Sequence, residues 1–190
     1  MLFRSYELDP RTFDIVGTYK FRDASVLAHM NTLTYNPDTN LLYTTNAMVD
    51  GHRITTIDAD TMSIGNTITI PERVFNLAYD KKTNQFMSIV PIDATMRRIN
   101  YYTSQFQLVQ SKDIDANYDD YNNNGAFAND GKTIFATLST VVTVDKTGNV
   151  TKISSFPKDL EIEDMDMRHN IMYAAVNMNH KVFIYSMLNY

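Results

Sequence analysis

Four carboxylates lie close together in the segment EIEDMDM: Glu161, Glu163, Asp164 and Asp166. A hard cation needs several oxygen ligands that converge on one point. Alternation along a strand would instead send Glu161 and Glu163 to one face and Asp164 and Asp166 to the other. The sequence therefore predicts an acidic, solvated rim at this segment and no metal site.

Further polar residues recur where successive apolar strand patterns begin. They are His29, Asn31, Arg73, Asn76, Asn123 and Glu163. If these strands surround a common axis, their starts converge, and the polar groups would suit a hydroxyl-rich ligand flanked by aromatic rings. The alternative is that these side chains only satisfy exposed backbone groups at the strand ends.

The polar stretch DANYDDYNN, residues 115–123, offers a second candidate surface. Tyr118 and Tyr121 within it could stack against sugar rings. The alternative is a mobile loop between two structural units. Both interpretations place this stretch at the surface.

The sequence holds no recognisable catalytic motif. It has no Gly-x-Ser-x-Gly, no His-Glu-x-x-His and no phosphate-binding loop, and it contains only six glycines. The absence of cysteine excludes thiol nucleophiles, Cys-ligated zinc and disulfides. We therefore predict no catalytic residue and no cofactor.

The charge balance makes nucleic acid an improbable partner. The net charge is −5, and no dense run of Lys or Arg is present. An anionic polymer would meet a surface of the wrong sign unless Arg73, Arg97 and Arg98 gather in space. The first residues show no continuous apolar segment and the sequence has no apolar run of 18 residues, so we predict neither a signal peptide nor membrane insertion.

A 44-residue internal repeat organises the chain. The segment LTYNPDTNLLY (33–43) aligns without a gap on LAYDKKTNQFM (77–87). Each copy reads as two alternating strands around a turn of Asn, Pro, Asp or Lys. Outer hairpins also recur, and in each an apolar residue is followed by Asp9, Asp58 or Asp145, which should start the turn by accepting backbone N–H groups.

Short alternating strands at this period are typical of propeller blades, and we predict an all-β propeller of about four to five blades over residues 1–190. The predicted blade units are 2–21, 29–70, 73–114, 122–156 and 161–187. The N-terminal blade is incomplete. Either its partner strands belong to a longer parent protein, or residues 14–21 close the ring against the last blade. A β-sandwich is the alternative fold, although a sandwich does not require this register.

Four segments resemble a known family: SYELDPRTF, HMNTLTYNPDTNLLYTTN, RVFNLAYDKKTNQF and EIEDMDMRHNIMYAAV. They are similar to the propeller domain of tail-fibre and baseplate receptor-binding proteins of phages that infect Gram-positive bacteria. Ala28 stands where that family usually has Gly, and Thr32 where Asp is common. A complete propeller of that family carries a further inner hairpin before the equivalent of LFRSYELD.

The resemblance implies a non-enzymatic recognition module that binds a teichoic-acid-like glycopolymer within a virion tail. A homo-oligomer, or inclusion in a longer fibre chain, would accompany this role. Two alternatives remain open: a calcium-dependent sugar-lactone hydrolase with Glu163, Asn76 and Asn123 as metal ligands, and a structural or protein-interaction platform.

Overall fold

The computed structural model describes residues 3–21, 27, 30–46, 51–115, 125–129, 132–136, 139–157, 159–168, 171–179 and 181–188. Within these ranges the chain forms 17 β-strands and no helix. All pairings between neighbouring strands are antiparallel. The predicted all-β class is confirmed.

Three sheets have four strands each, in simple up-and-down order. The first blade is β3 (Met30–Asn36), β4 (Leu41–Asn46), β5 (Arg53–Asp58) and β6 (Ile64–Thr69). The second is β7 (Ala78–Asp80), β8 (Gln85–Pro91), β9 (Met96–Thr103) and β10 (Leu108–Asp115). The third is β11 (Gly125–Asn129), β12 (Lys132–Ala136), β13 (Thr140–Val144) and β14 (Val150–Ser155).

The two remaining sheets are smaller. The last blade has three strands: β15 (Glu161–Arg168), β16 (Ile171–Met178) and β17 (Lys181–Leu188). The N-terminal hairpin is a separate two-stranded sheet of β1 (Phe3–Leu8) and β2 (Ile15–Phe21). Among the described strands, β2 pairs only with β1 and β17 only with β16, so β2 does not complete the last blade.

The inner strands of the four larger sheets form a closed ring. β3 contacts β7, β7 contacts β11, β11 contacts β15, and β15 returns to β3. Sheets arranged radially around such a ring are the blades of a propeller. The predicted propeller is confirmed, with four blades around the ring and the incomplete N-terminal blade as a hairpin outside it.

The 44-residue repeat is visible in matching hydrogen bonds and backbone angles. Tyr35 Oη donates to Asn40 Oδ1 at 2.9 Å, and Tyr79 Oη donates to Asn84 Oδ1 at 3.0 Å. Both asparagines are left-handed, with φ of 55° and 53°. Asn tolerates this conformation better than most residues, so the same turn chemistry produces the same inner hairpin twice.

The aspartates of the outer hairpins start their turns as predicted. Asp9 Oδ1 accepts the backbone N–H groups of Arg11 and Thr12. Asp58 Oδ1 accepts those of residues 60 and 61, and Asp145 Oδ1 accepts those of residues 147 and 149. A side-chain acceptor of this kind stabilises the turn through residues a few positions apart, without any tertiary contact.

Apolar clusters fill three of the seams between blades. Phe86 lies in the cluster between the first and second blades, Phe135 between the second and third, and Met172 between the third and last. A fourth cluster, containing Phe21 and Ile57, joins the N-terminal hairpin to the first blade. Among the described residues, none of these clusters fills the seam between the last and first blades.

Candidate functional site

The seam where the ring closes is joined by a polar contact. The backbone N–H of Leu33 on β3 donates to Asp164 Oδ2 on β15, with 3.0 Å between N and O. The first and second blades are joined in a similar way by a neutral hydroxyl, because Thr34 Oγ1 accepts the backbone N–H of Tyr79 at 3.1 Å. The closing seam therefore places an ionisable group where another seam has a hydroxyl.

The N-terminal hairpin lies against both blades that border this seam. Phe21 and the partly buried Tyr19 pack with Ile57 of the first blade. At the hairpin turn, the Phe13 ring packs against Tyr173 of the last blade, with 5.8 Å between ring centres. The hairpin thus bridges the first and last blades from outside the ring.

Three clefts with shared lining residues lie beside the hairpin and over the seam, and we call them together the closure groove. The cleft between the hairpin and the first blade measures about 450 Å³, the cleft over the seam about 170 Å³, and the cleft at the hairpin turn about 200 Å³. The first two share Leu33, and the last two share Asp166 and Tyr173. Other lining residues used below are Tyr6, Glu7, Phe13, Tyr19, Asp60 and Asp164.

Hydrogen bonds orient two carboxylates of the closure groove. Tyr19 Oη donates to Glu7 Oε2 at 2.6 Å, and this bond raises the pKa of Tyr19 above its usual value. Asn40 Nδ2 donates to Asp60 Oδ2 at 2.8 Å. The Asn40 amide also accepts from Tyr35, so a hydrogen-bonded chain supports Asp60 at the rim.

The pKa of Asp164 is unusually high for a carboxyl group. Burial raises its pKa to about 8, although the N–H groups of Met165 and Leu33 oppose this shift by favouring the charged form. Nearby Asp166 and Glu163 raise the pKa further. The pKa of Asp166 is also raised, because surrounding atoms remove water from its carboxyl group.

The acidic segment differs in two respects from the prediction. Asp164 and Asp166 share one face of β15, as predicted, since they lie opposite Ala175 and Tyr173, which are alternate residues of β16. Glu161, predicted on the other face, lies opposite Asn177 and therefore shares that face, because the irregularity at Glu163 shifts the alternation by one residue. Asp164, however, is partly buried and bonded to another blade, so it is not part of a solvated rim. Sequence alternation could assign a common face but could not show which blade covers it.

Aromatic residues and carboxylates both line the closure groove. Phe13 and Tyr173 line the cleft at the hairpin turn, and Tyr6, Glu7 and Asp60 line the cleft between the hairpin and the first blade. Carboxylates accept hydrogen bonds from hydroxyl groups, and aromatic faces pack against apolar surfaces of a ligand. This combination can bind the hydroxyl and C–H faces of a sugar, and it would repel a phosphate.

The polar residues predicted as ligands at the strand starts do not come together at one site in the described part of the chain. Asn76 is fully buried, and its Oδ1 accepts the backbone N–H of Ile89 at 2.9 Å. Arg73 is exposed, with its guanidinium carbon 4.8 Å from the centre of the Phe75 ring. Glu163 is exposed at an irregularity in the β15–β16 pairing. Asn76 precedes β7 and Glu163 lies on β15, which stand on opposite sides of the ring.

The other predicted ligand residues lie partly or wholly outside the described part of the chain. His29, Tyr118, Tyr121 and Asn123 are outside the described residues, as is Ala28 of the family motif. Asn31 is in β3, and only its backbone is described. Thr32, where the family commonly has Asp, is buried and donates to the carbonyl oxygen of Leu77 at 3.2 Å.

The basic residues do not form an exposed cluster. Arg97 is fully buried, and its Nη1 donates to the carbonyl oxygens of Asp93 and Met96. Arg98 forms a two-pronged ion pair with Asp113, with N–O distances of 2.6 and 2.9 Å. Arg97 and Arg98 are therefore committed to contacts within the second blade.

No group of three or more His, Cys, Asp or Glu side chains in the described part of the chain could hold a metal ion. No helix in the same part is long and apolar enough to cross a membrane. The closure groove combines clefts with polar and aromatic lining residues.

Comparison with solved structures supports the propeller fold. The chain is similar to Kuenenia stuttgartiensis hydrazine synthase (TM-score 0.52, 12% identity, 83% of this chain and 45% of that chain) and to the RRP9 WD40 repeats (0.50, 11%, 84% and 51%). It is also similar to a Bacteroides caccae protein of unknown function (0.51, 9%, 95% and 67%). The chain therefore spans about half the length of the first two.

Identities this low carry information about the fold alone. No family model matches the sequence. A comparison with curated proteins also finds no match. The function must therefore be argued from the closure groove itself.

Proposed function

We propose that the chain is a carbohydrate-recognition module that binds a cell-surface glycopolymer through the closure groove. The observation that carries this proposal is a set of three neighbouring clefts with shared lining residues, whose lining includes Tyr6, Tyr173, Glu7 and Asp60. A polymer can extend along such a groove and place successive sugar units against successive rings. Concave surfaces with aromatic walls and a few oriented polar groups are suited to this task.

The charge of the groove bears on how a teichoic-acid-like polymer would bind. Glu7 and Asp60 would repel phosphate groups, and they accept hydrogen bonds from hydroxyl groups. Arg97 and Arg98 are already engaged within the second blade. The proposed contacts are therefore to sugar hydroxyl groups, with the phosphates directed towards solvent.

The proposed setting is the tail fibre or baseplate of a phage that infects Gram-positive bacteria. Support comes from the resemblance of four segments of the sequence to that family, together with the propeller fold. In this setting the chain would be made in the host cytoplasm and act outside the cell. Pre-incubation of cells with the purified protein should then reduce adsorption of phages that use the same polymer.

The direct test is retention of the purified protein on Gram-positive cell walls. Walls with and without teichoic acid are compared, each with and without a chelator. We expect retention that depends on the glycopolymer and is indifferent to the chelator. Calcium-dependent stabilisation, or turnover of a sugar lactone, without such retention would contradict the proposal and favour the hydrolase.

Variants connect retention to the closure groove. Tyr6→Ala and Tyr173→Ala should each weaken binding about tenfold, because an aromatic contact contributes up to roughly 1.5 kcal/mol beyond burial. Leu108→Ala is the matched control, since Leu108 is an exposed apolar residue on the outer strand of the second blade. If all three variants were retained as well as the parent chain, the polymer would bind outside the closure groove.

A further inference from the structure

β17 is an uncovered strand in a position that the other blades cover. β5, β9 and β13 are the third strands of their blades, and each lies between its second and fourth strands. They are largely buried, with five of five residues buried in β13. β17 is also a third strand, and among the described strands it pairs with β16 alone.

From residue 182 onwards β17 is uncharged and mostly apolar, as expected of a strand that has a neighbouring strand on each side. Val182 is 70% exposed and Tyr185 is 42% exposed, and Phe183 and Ile184 between them are exposed as well. The sequence VFIYSML from 182 to 188 contains no charged residue. Soluble proteins normally protect a sheet edge with charges, proline or a bulge, and none of these lies within 182–188.

The geometry of the edge favours addition of a strand. All eight residues of β17 pair with β16 without a shift in register. By contrast, in each of the other three blades the outermost pairing, between the third and fourth strands, contains an irregularity in register. A long, regular and apolar edge is a template for another strand.

We propose that β17 pairs antiparallel with β17 of a second copy of this chain, around a two-fold axis at Tyr185, so that the two Tyr185 residues lie opposite each other. The charge pattern supports this occupant. Lys181 is the sole charged residue of the strand, and antiparallel pairing places the two Lys181 residues at opposite ends of the pair, roughly 26 Å apart. Uncharged side chains then face one another across the rest of the interface, which is isologous and closed.

The absence of cysteine allows a direct test by disulfide formation. In the full chain, Tyr185→Cys introduces one thiol near the proposed axis, where residues on adjacent antiparallel strands have Cα atoms about 4.5–5.5 Å apart. We expect mild oxidation to yield a covalent dimer. Thr67→Cys, on the exposed outer strand of the first blade, is the matched control and should remain monomeric on a denaturing gel.

Sedimentation provides a second measurement that needs no cross-link. The unmodified chain should show a dimer, and the double variant Val182→Lys with Tyr185→Lys should shift it to a monomer while the melting temperature stays close to that of the parent. A monomeric parent chain overturns the proposal. So does a dimer that survives the double lysine variant, or one that cross-links through position 67, since its interface would lie elsewhere.

Discussion

The carboxyl group of Asp164 on the last blade accepts a hydrogen bond from the backbone N–H of Leu33 on the first blade, at 3.0 Å. This contact joins the two ends of the ring across a seam that has no apolar cluster among the described residues. Asp164 also lines the closure groove. Closure of the ring and the proposed ligand surface therefore share one titratable residue.

The raised pKa of Asp164 predicts that stability falls as pH rises. Its folded-state pKa is about 8 against an ordinary value of 3.8, so between these values the folded state holds a proton that the unfolded state has lost. The free energy of unfolding then decreases by up to about 1.4 kcal/mol per pH unit from this group. Asp166, whose pKa is also raised, adds to the same trend.

Urea unfolding between pH 5 and pH 8 measures this effect. Asp164→Asn keeps an oxygen acceptor for the Leu33 N–H but cannot ionise, so its stability relative to the parent should increase with pH. Asp159→Asn, at an exposed position, is the control and should follow the parent. Parallel pH profiles for the parent and Asp164→Asn would contradict the assignment.

Phe86 should be the critical side chain of the seam between the first and second blades. It is fully buried, and its ring centre lies 4.7 Å from that of Tyr43 and 4.4 Å from that of Phe106. Phe86→Ala should lower the free energy of unfolding by about 3–5 kcal/mol, because it removes apolar contacts and leaves a cavity. Denaturant unfolding checks this value, and the exposed-site variant Leu108→Ala should change it by less than about 0.5 kcal/mol.

The turn of the third blade should depend on the charge of Asp145. Its hydrogen bonds to residues 147 and 149 lower its pKa to about 2 from 3.8. The stabilisation of the turn is therefore complete above about pH 4 and is lost as pH falls through 2. Asp145→Ala should speed amide exchange of Thr147 and Asn149, whereas Asp145→Asn, which retains an acceptor, should have a smaller effect. Unchanged exchange in Asp145→Ala would show that the backbone alone fixes the turn.

Gly17 should control the shape of the closure groove. A Cβ atom at this position would lie 2.8 Å from Glu7 Oε2 and 3.1 Å from the Tyr19 ring. Gly17→Ala should therefore displace both side chains and disrupt their 2.6 Å hydrogen bond. If the groove binds glycopolymer, retention on cell walls should fall in this variant. Thr18→Ala, at an exposed neighbouring position, should retain the binding of the parent.

Much of the fold follows from local patterns in the sequence. The 44-residue register predicted matching hairpins, and Asn40 and Asn84 adopt nearly identical left-handed turns. The aspartates of the outer hairpins accept the expected backbone N–H groups. These features need only residues a few positions apart, so strand alternation and turn chemistry are enough to specify them.

Local patterns in the sequence predicted the residues of the candidate site less well than they predicted the fold. Asn76 stands at the start of an inner strand, but whether its amide faces a ligand or the backbone of Ile89 depends on how β8 packs beside it. The sequence does not single out Tyr6, Glu7 and Tyr19 as ligand residues, because the pattern of the hairpin indicates only an incomplete blade. Its alternation indicated two faces, yet nothing local indicated that one face would line a groove beside Leu33.

The sequence by itself determined the strands, their turns and their repetition, since short-range hydrogen bonds and alternation encode all three. Only the tertiary structure decided how the ring closes and what that closure creates. Asp164 and Leu33 are 131 positions apart in the sequence, and no local pattern relates them. Their contact exists because four blades around one axis bring the last inner strand back to the first, and the closure groove and the raised pKa of Asp164 follow from that geometry.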